Sequence, residues 1–169
     1  RHLRAKRLLH AALAKKRKIN EAIEHFRAAV LTQPDHLESF LNLGSLLAMK
    51  GQPEKAVIVL ERAVALAPDD IRARMNLGTA LASTNDFSAA VKSLRYVIDL
   101  QPEYDQAHAR LAHVLLASGD SRAAAFHFER AIALNSLDGA SMFRLAWLLA
   151  TSSDEGLRNG SQASPSNSY

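Results

Sequence analysis

Three prolines, Pro34, Pro68 and Pro102, stand 34 residues apart. A fixed period of this length marks a chain built from one supersecondary unit stacked several times, because one unit cannot bury its apolar face alone. Other columns fall into phase with the prolines. Leu9, Leu43, Leu77, Leu111 and Leu145 form one; Leu13, Leu47, Leu81, Leu115 and Leu149 form another. Ala22, Ala56, Ala90 and Ala124 share a third, Phe26, Leu60, Leu94 and Phe128 a fourth, and Ala29, Ala63, Val97 and Ala131 a fifth. A small residue follows the first leucine at Gly44, Gly78, Ala112 and Ala146.

One unit reads as two helices. Leu43 and Leu47 are four apart and share a helix face, and Ala56, Leu60 and Ala63 repeat that spacing on a second helix. Between them, Lys50-Gly51-Gln52-Pro53 ends one helix and opens the next. The break recurs at Asn85-Asp86 and Gly119-Asp120, and Gly44 and Ala56 let the paired helices approach closely. The prolines end each second helix, and Asp35, Asp69 and Asp70 beside them suit helix N-caps. First helices are predicted near 3–16, 37–50, 71–84, 105–118 and 139–151, and second helices near 19–32, 53–66, 87–100 and 121–134. Leu43, Leu47, Ala56, Leu60, Leu77, Leu81, Ala90, Leu94, Leu111, Leu115, Ala124 and Phe128 form the expected core.

The pattern resembles the tetratricopeptide repeat (TPR), which asks for a tryptophan-like residue, Leu-Gly, an aromatic, then Ala, Phe, Ala and Pro at fixed offsets. The second unit supplies Phe40, Leu43-Gly44, Leu47, Ala56, Leu60, Ala63 and Pro68, and the third supplies Leu77-Gly78, Leu81, Ala90, Leu94, Val97 and Pro102. The resemblance implies an all-α fold, a right-handed α-solenoid of antiparallel helix pairs. It spans residues 3–152, with repeats at 3–36, 37–70, 71–104 and 105–138 and a partial repeat at 139–152. His10 replaces the small residue in the first repeat, and Ser136 replaces the proline in the fourth. The stretch from Leu145 to Gly160 resembles bacterial TPR proteins. Residues 153–169, rich in Ser, Asn and Gly, read as a disordered tail.

Composition narrows the function classes. There is no cysteine, so disulfide and thiol chemistry are excluded. No apolar run is long enough to cross a membrane. Residues 1–20 hold eight basic side chains, Arg1 to Lys18, and no acid, whereas the remainder is net acidic. This basic helix is read as a solvated face; nucleic acid is not an expected partner, since no aromatics are interleaved for base stacking. Membrane association would come only through a segment outside the chain or weakly through this helix. The chain begins at Arg1 without methionine, as a fragment of a longer protein would, and cytoplasm and periplasm both remain open as compartments.

A glycine-rich phosphate loop, a nucleophile elbow and an HExxH motif are all missing from the sequence. His108 and His113 are five apart, on different helix faces, and neither His25 nor His127 has a ligand three or four residues on. The reading is a non-enzyme with no metal, cofactor or small-molecule substrate. Its site follows from the TPR resemblance, which implies that the first helix of each unit lines a concave groove. The column before the Leu-Gly pair reads Leu8, Asn42, Asn76, Arg110, Arg144. It resembles the asparagine ladder in the superhelix of O-linked N-acetylglucosamine transferase, where amides hold a peptide backbone. An asparagine amide both donates and accepts, and an arginine fork suits a carboxylate. Arg72 and Gln106 lie four before ladder residues, and Ser45, Thr79, His113 and Trp147 three after them. The expected function is a protein-interaction scaffold binding an extended, acidic peptide. The alternative is a structural or oligomerisation arm, such as the C-terminal repeat region of a membrane glycosyltransferase-like protein. Phe143, Trp147 and Leu148 on the last helix are expected to form an exposed apolar patch that favours self-association.

Overall fold

The structure is a computed structural model that describes residues 2–152 and Leu157, with side chains from Arg17 onward. Eight helices follow in order: α1 His2–Thr32, α2 Leu37–Met49, α3 Pro53–Leu66, α4 Ile71–Ser83, α5 Phe87–Leu100, α6 Asp105–Ala117, α7 Ser121–Leu134 and α8 Gly139–Thr151. No strand is present among the described residues. The chain divides into two compact units, Arg1–Ala80 and Leu81–Tyr169, with the division falling inside α4.

In the first unit α1 packs on α2, and α2 folds back on α3 as an antiparallel hairpin. In the second, α5 packs on α6, α6 and α7 form a hairpin, and α8 packs on α7. The twelve expected core residues are all buried, with Ala56, Ala90, Leu94, Leu111, Ala124 and Phe128 having no exposed surface.

The turns between paired helices share one backbone device. After α2, Gly51 takes φ 77°, its N–H returns to Ala48 O at 3.0 Å, and Gln52 N–H reaches Leu47 O at 3.0 Å. This is a Schellman cap, which requires a left-handed residue. Asn85, at φ 63°, and Gly119, at φ 93°, repeat it one and two periods later, with Asp86 N to Leu81 O and Asp120 N to Leu115 O. The carboxylates of Asp86 and Asp120 then cap the next helix, accepting from Ala89 and Ala123 N–H at 3.0 Å.

The same column explains the main departure from the sequence reading. One period before Gly51 stands Arg17. A side chain this large is strained in the left-handed region, and no Gly or Pro lies between Lys15 and Asn20. The expected pair at 3–16 and 19–32 is therefore one continuous helix, α1, with an Arg17–Glu21 ion pair at 2.8 Å on its surface past the expected break. Ala22, Phe26 and Ala29 occupy columns that are buried in later repeats, yet here they are half-buried, and Ile23 is the sealed residue instead.

Two smaller corrections concern caps and the last helix. Asp35 is not the N-cap of α2: His36 holds that position and bonds Ser39 Oγ through Nδ1 at 2.7 Å. Asp69 likewise yields to Asp70, which accepts from Ala73 N–H at 2.8 Å. Leu148, expected in an exposed patch, is buried at 3%. Apart from Leu157, the expected tail at 153–169 lies outside the described residues.

Candidate functional site

In the first unit the ladder residues project from α2 and α4. Asn42 is exposed on α2, and among the described residues its side chain makes no hydrogen bond. Asn76 on α4 is half-buried and donates from Nδ2 to Ser45 Oγ at 3.3 Å. Ser45 in turn donates to Leu41 O at 2.8 Å, and Thr79 to Met75 O at 2.8 Å. Both hydroxyl hydrogens are thus committed to their own helices, and Ser45 Oγ also accepts from Asn76. Arg72 bonds Glu38 at 2.5 Å and Asp70 at 3.5 Å. Its guanidinium bridges equivalent positions of successive repeats and raises its own pKa through the Glu38 bond. Arg72 thus joins α4 to Glu38 of α2 through an exposed ion pair.

In the second unit the equivalent column carries charge. Arg110 is half-buried on α6, Gln106 is exposed one turn earlier, and Arg144 is exposed on α8. His113 sits edge-on to Phe128, with ring centroids 5.0 Å apart at 85°. Burial holds its pKa below the usual value, the nearby Arg144 charge acts in the same sense, and Asp138 opposes both. His113 is consequently a neutral polar group near neutrality, and Arg144 is the cation beside it. Asp138 caps α8, bonding Ser141 N–H at 3.1 Å and Ser141 Oγ at 2.5 Å. Trp147, 49% exposed, and Phe143, 68% exposed, place apolar surface on α8.

The sequence reading missed a histidine pair. His108 is buried on α6, and its Nδ1 lies 2.9 Å from Nδ1 of His127 on α7. The ring centroids are 5.2 Å apart, the separation reached when both Nδ1 atoms lie on the line joining the ring centres. The contact is therefore an end-on hydrogen bond and not a stack. His108 Nε2–H donates to Pro102 O at 3.0 Å, because a carbonyl oxygen can only accept. The line between the two nitrogens holds one proton. Burial first, then the charges of His108 and Arg95, press the His127 pKa from 6.5 down to about 4, with Asp120 opposing. The legible signal was the hairpin itself, since a turn at Gly119 brings together residues at similar distances on either side of it.

Among the described residues, groups of three or more metal-ligating side chains are absent, and no helix is long and apolar enough to cross a membrane. Helix hairpins on a 34-residue period, each closed by a left-handed turn residue, with polar ladder columns on the first helices, define a helical-repeat protein of the solenoid class. The chain belongs to the tetratricopeptide-repeat family: one family model, Tetratricopeptide repeat, matches residues 11–71 and 109–155, and a second of the same description matches 50–117. No curated protein sequence matches it.

The solved structures it resembles share this fold. The crystal structure of MamA aligns with a TM-score of 0.76 at 23% identity, covering 86% of this chain and 84% of that one. MamA from residue 41 to its end, from Desulfovibrio magneticus RS-1, aligns at 0.67 and 29%, covering 76% and 73%. YrrB, a TPR protein with an unusual peptide-binding site, aligns at 0.71 and 23%, covering 78% and 68%. Family and fold make the chain a protein-interaction scaffold, of a kind that binds protein or peptide partners and is typically non-enzymatic.

Proposed function

We propose that this scaffold holds extended peptides through its ladder columns, whose chemistry differs between the two units. In the first unit, Asn42 and Asn76 engage backbone amides without reading side chains. In the second, Arg110 and Arg144 attract carboxylates, with Gln106 and His113 as neutral polar neighbours. The observation that carries the reading is the open amide of Asn42, one helical turn from the Ser45 hydroxyl that orients Asn76. An exposed amide beside an oriented one can donate to and accept from successive peptide groups.

The experiment is a peptide-array comparison of wild type with two double variants. Asn42→Ala with Asn76→Ala weakens most bound peptides alike, by about 0.5–1.5 kcal/mol for each net hydrogen bond lost. Arg110→Glu with Arg144→Glu loses acidic peptides selectively, and wild-type binding to those falls with added salt. If peptides bind and neither double variant changes any of them, the ladder columns are not the binding face.

A further inference from the structure

Within the first unit two side-chain bonds cross between α2 and α4. One is the Asn76 amide on Ser45 Oγ, and the other is the Arg72 guanidinium on Glu38. Glu38 stands four residues before Asn42 and Arg72 four before Asn76, so the ion pair lies one helical turn from the ladder on the same helix faces. The two charged residues are also one 34-residue period apart, at equivalent positions of successive repeats. The ladder of the first unit thus has a charged column beside it, and there that column is closed on itself.

The two carboxylates on Arg72 are held differently. Asp70 is fixed: its Oδ1 accepts Ala73 N–H at 2.8 Å as the cap of α4, its side chain is 20% exposed, and its Oδ2 lies 3.5 Å from the guanidinium. Glu38 makes the shorter bond, at 2.5 Å, yet its side chain is 49% exposed. An exposed ion pair contributes little to stability, because water hydrates both charges when they part. A carboxylate brought by a ligand therefore meets in Glu38 a competitor of its own kind that leaves at small cost. With Glu38 gone, Asp70 still holds the guanidinium near its place.

We propose that Glu38 sets the selectivity of the first unit: it fills the seat on Arg72 that an acidic side chain of a bound peptide would take, and so keeps the amide ladder blind to acidic residues. The inference rests on the extended-peptide reading of the ladder columns. One helical turn is about 5.4 Å, a distance that a glutamate side chain spans from a backbone held at Asn42 and Asn76. A guanidinium fork binds either carboxylate in the same way. The outcome is decided by tethering: Glu38 is always present beside Arg72, at an effective concentration that a peptide in solution does not match.

The test uses array peptides made in pairs that differ by one glutamate or glutamine, and reads the ratio of binding within each pair. Wild type is compared with Glu38→Ala, with Glu38→Ala carrying Arg72→Gln, and with Asp35→Ala. The last removes another exposed acid of the same unit without freeing a guanidinium. The expected result is that Glu38→Ala raises the glutamate-to-glutamine ratio by about 1.5- to 5-fold, the range of an exposed ion pair. Arg72→Gln cancels that gain, and Asp35→Ala does not reproduce it. An unchanged ratio in Glu38→Ala overturns the proposal, and so does a gain that survives Arg72→Gln. An equal gain from Asp35→Ala also overturns it, since bulk charge alone is then at work. Failure of the ladder reading looks different. If no peptide binds, or if Asn42→Ala with Asn76→Ala leaves every bound peptide unchanged, that reading fails and this inference fails with it.

Discussion

Gly44 gives the sharpest test of how the hairpins close. On α2, an alanine at this position gains helix propensity of roughly 1 kcal/mol over glycine. Against this stands a Cβ that would meet Leu60 Cγ at 2.5 Å and Cδ2 at 2.6 Å. Leu60 is 1% exposed and sealed beside Ala56 and Ala63, so it has no free space to swing into. Such overpacking costs about 1–3 kcal/mol, and the steric cost outweighs the propensity gain unless α2 and α3 spread. Gly44→Ala should therefore lower the melting midpoint by about 2–4 °C for each net kcal/mol lost. The double-mutant cycle separates the terms. Leu60→Ala alone destabilises by about 2–5 kcal/mol, but in that background Gly44→Ala becomes stabilising because only propensity remains. Urea melts followed by circular dichroism at the helix band read all four proteins. A wild-type background in which Gly44→Ala stabilises, with no coupling to Leu60, would refute the close-contact reasoning.

Acid should weaken the second unit through His127. Its folded pKa is about 4 against 6.5 unfolded, so the unfolded chain binds more protons between those values and stability falls as pH falls. The contribution is complete above about pH 6.5, and about 2 kcal/mol of it is lost between pH 7 and pH 5; His127→Gln, melted over the same range, should show a shallower slope, and equal slopes would refute the assignment. At the hairpin turns, Gly119→Ala places a side chain at φ 93° and should cost about 1 kcal/mol, whereas Asn85→Gly at φ 63° should be neutral or stabilising. Thermal melts of the two variants moving in the same direction would contradict the left-handed turn requirement.

Much of this protein was legible in its sequence. The helix pairs after residue 37, their boundaries to within a residue and all twelve expected core positions follow from a period of 34 and a spacing of three and four, because those spacings alone decide which side chains share a buried face. Even the continuous α1 was written there, as an arginine in a column that holds Gly or Asn at the next three turns, although it takes the backbone angles at Gly51, Asn85 and Gly119 to reveal what that column does. Tertiary structure alone decided how the polar side chains are spent. Arg72, Asn76, Ser45 and Asp138 have the same composition in the sequence whether they face a ligand or a neighbouring helix, and only packing settles that Arg72 braces Glu38 and that Asn76 is oriented by Ser45. The His108–His127 bond is the extreme case, since its single shared proton depends on two rings meeting end to end with the Pro102 carbonyl behind them. Apolar burial is a property of periodic patterns and is read along the chain. A hydrogen bond is a property of particular distances and directions, and those exist only once the helices have been set against each other.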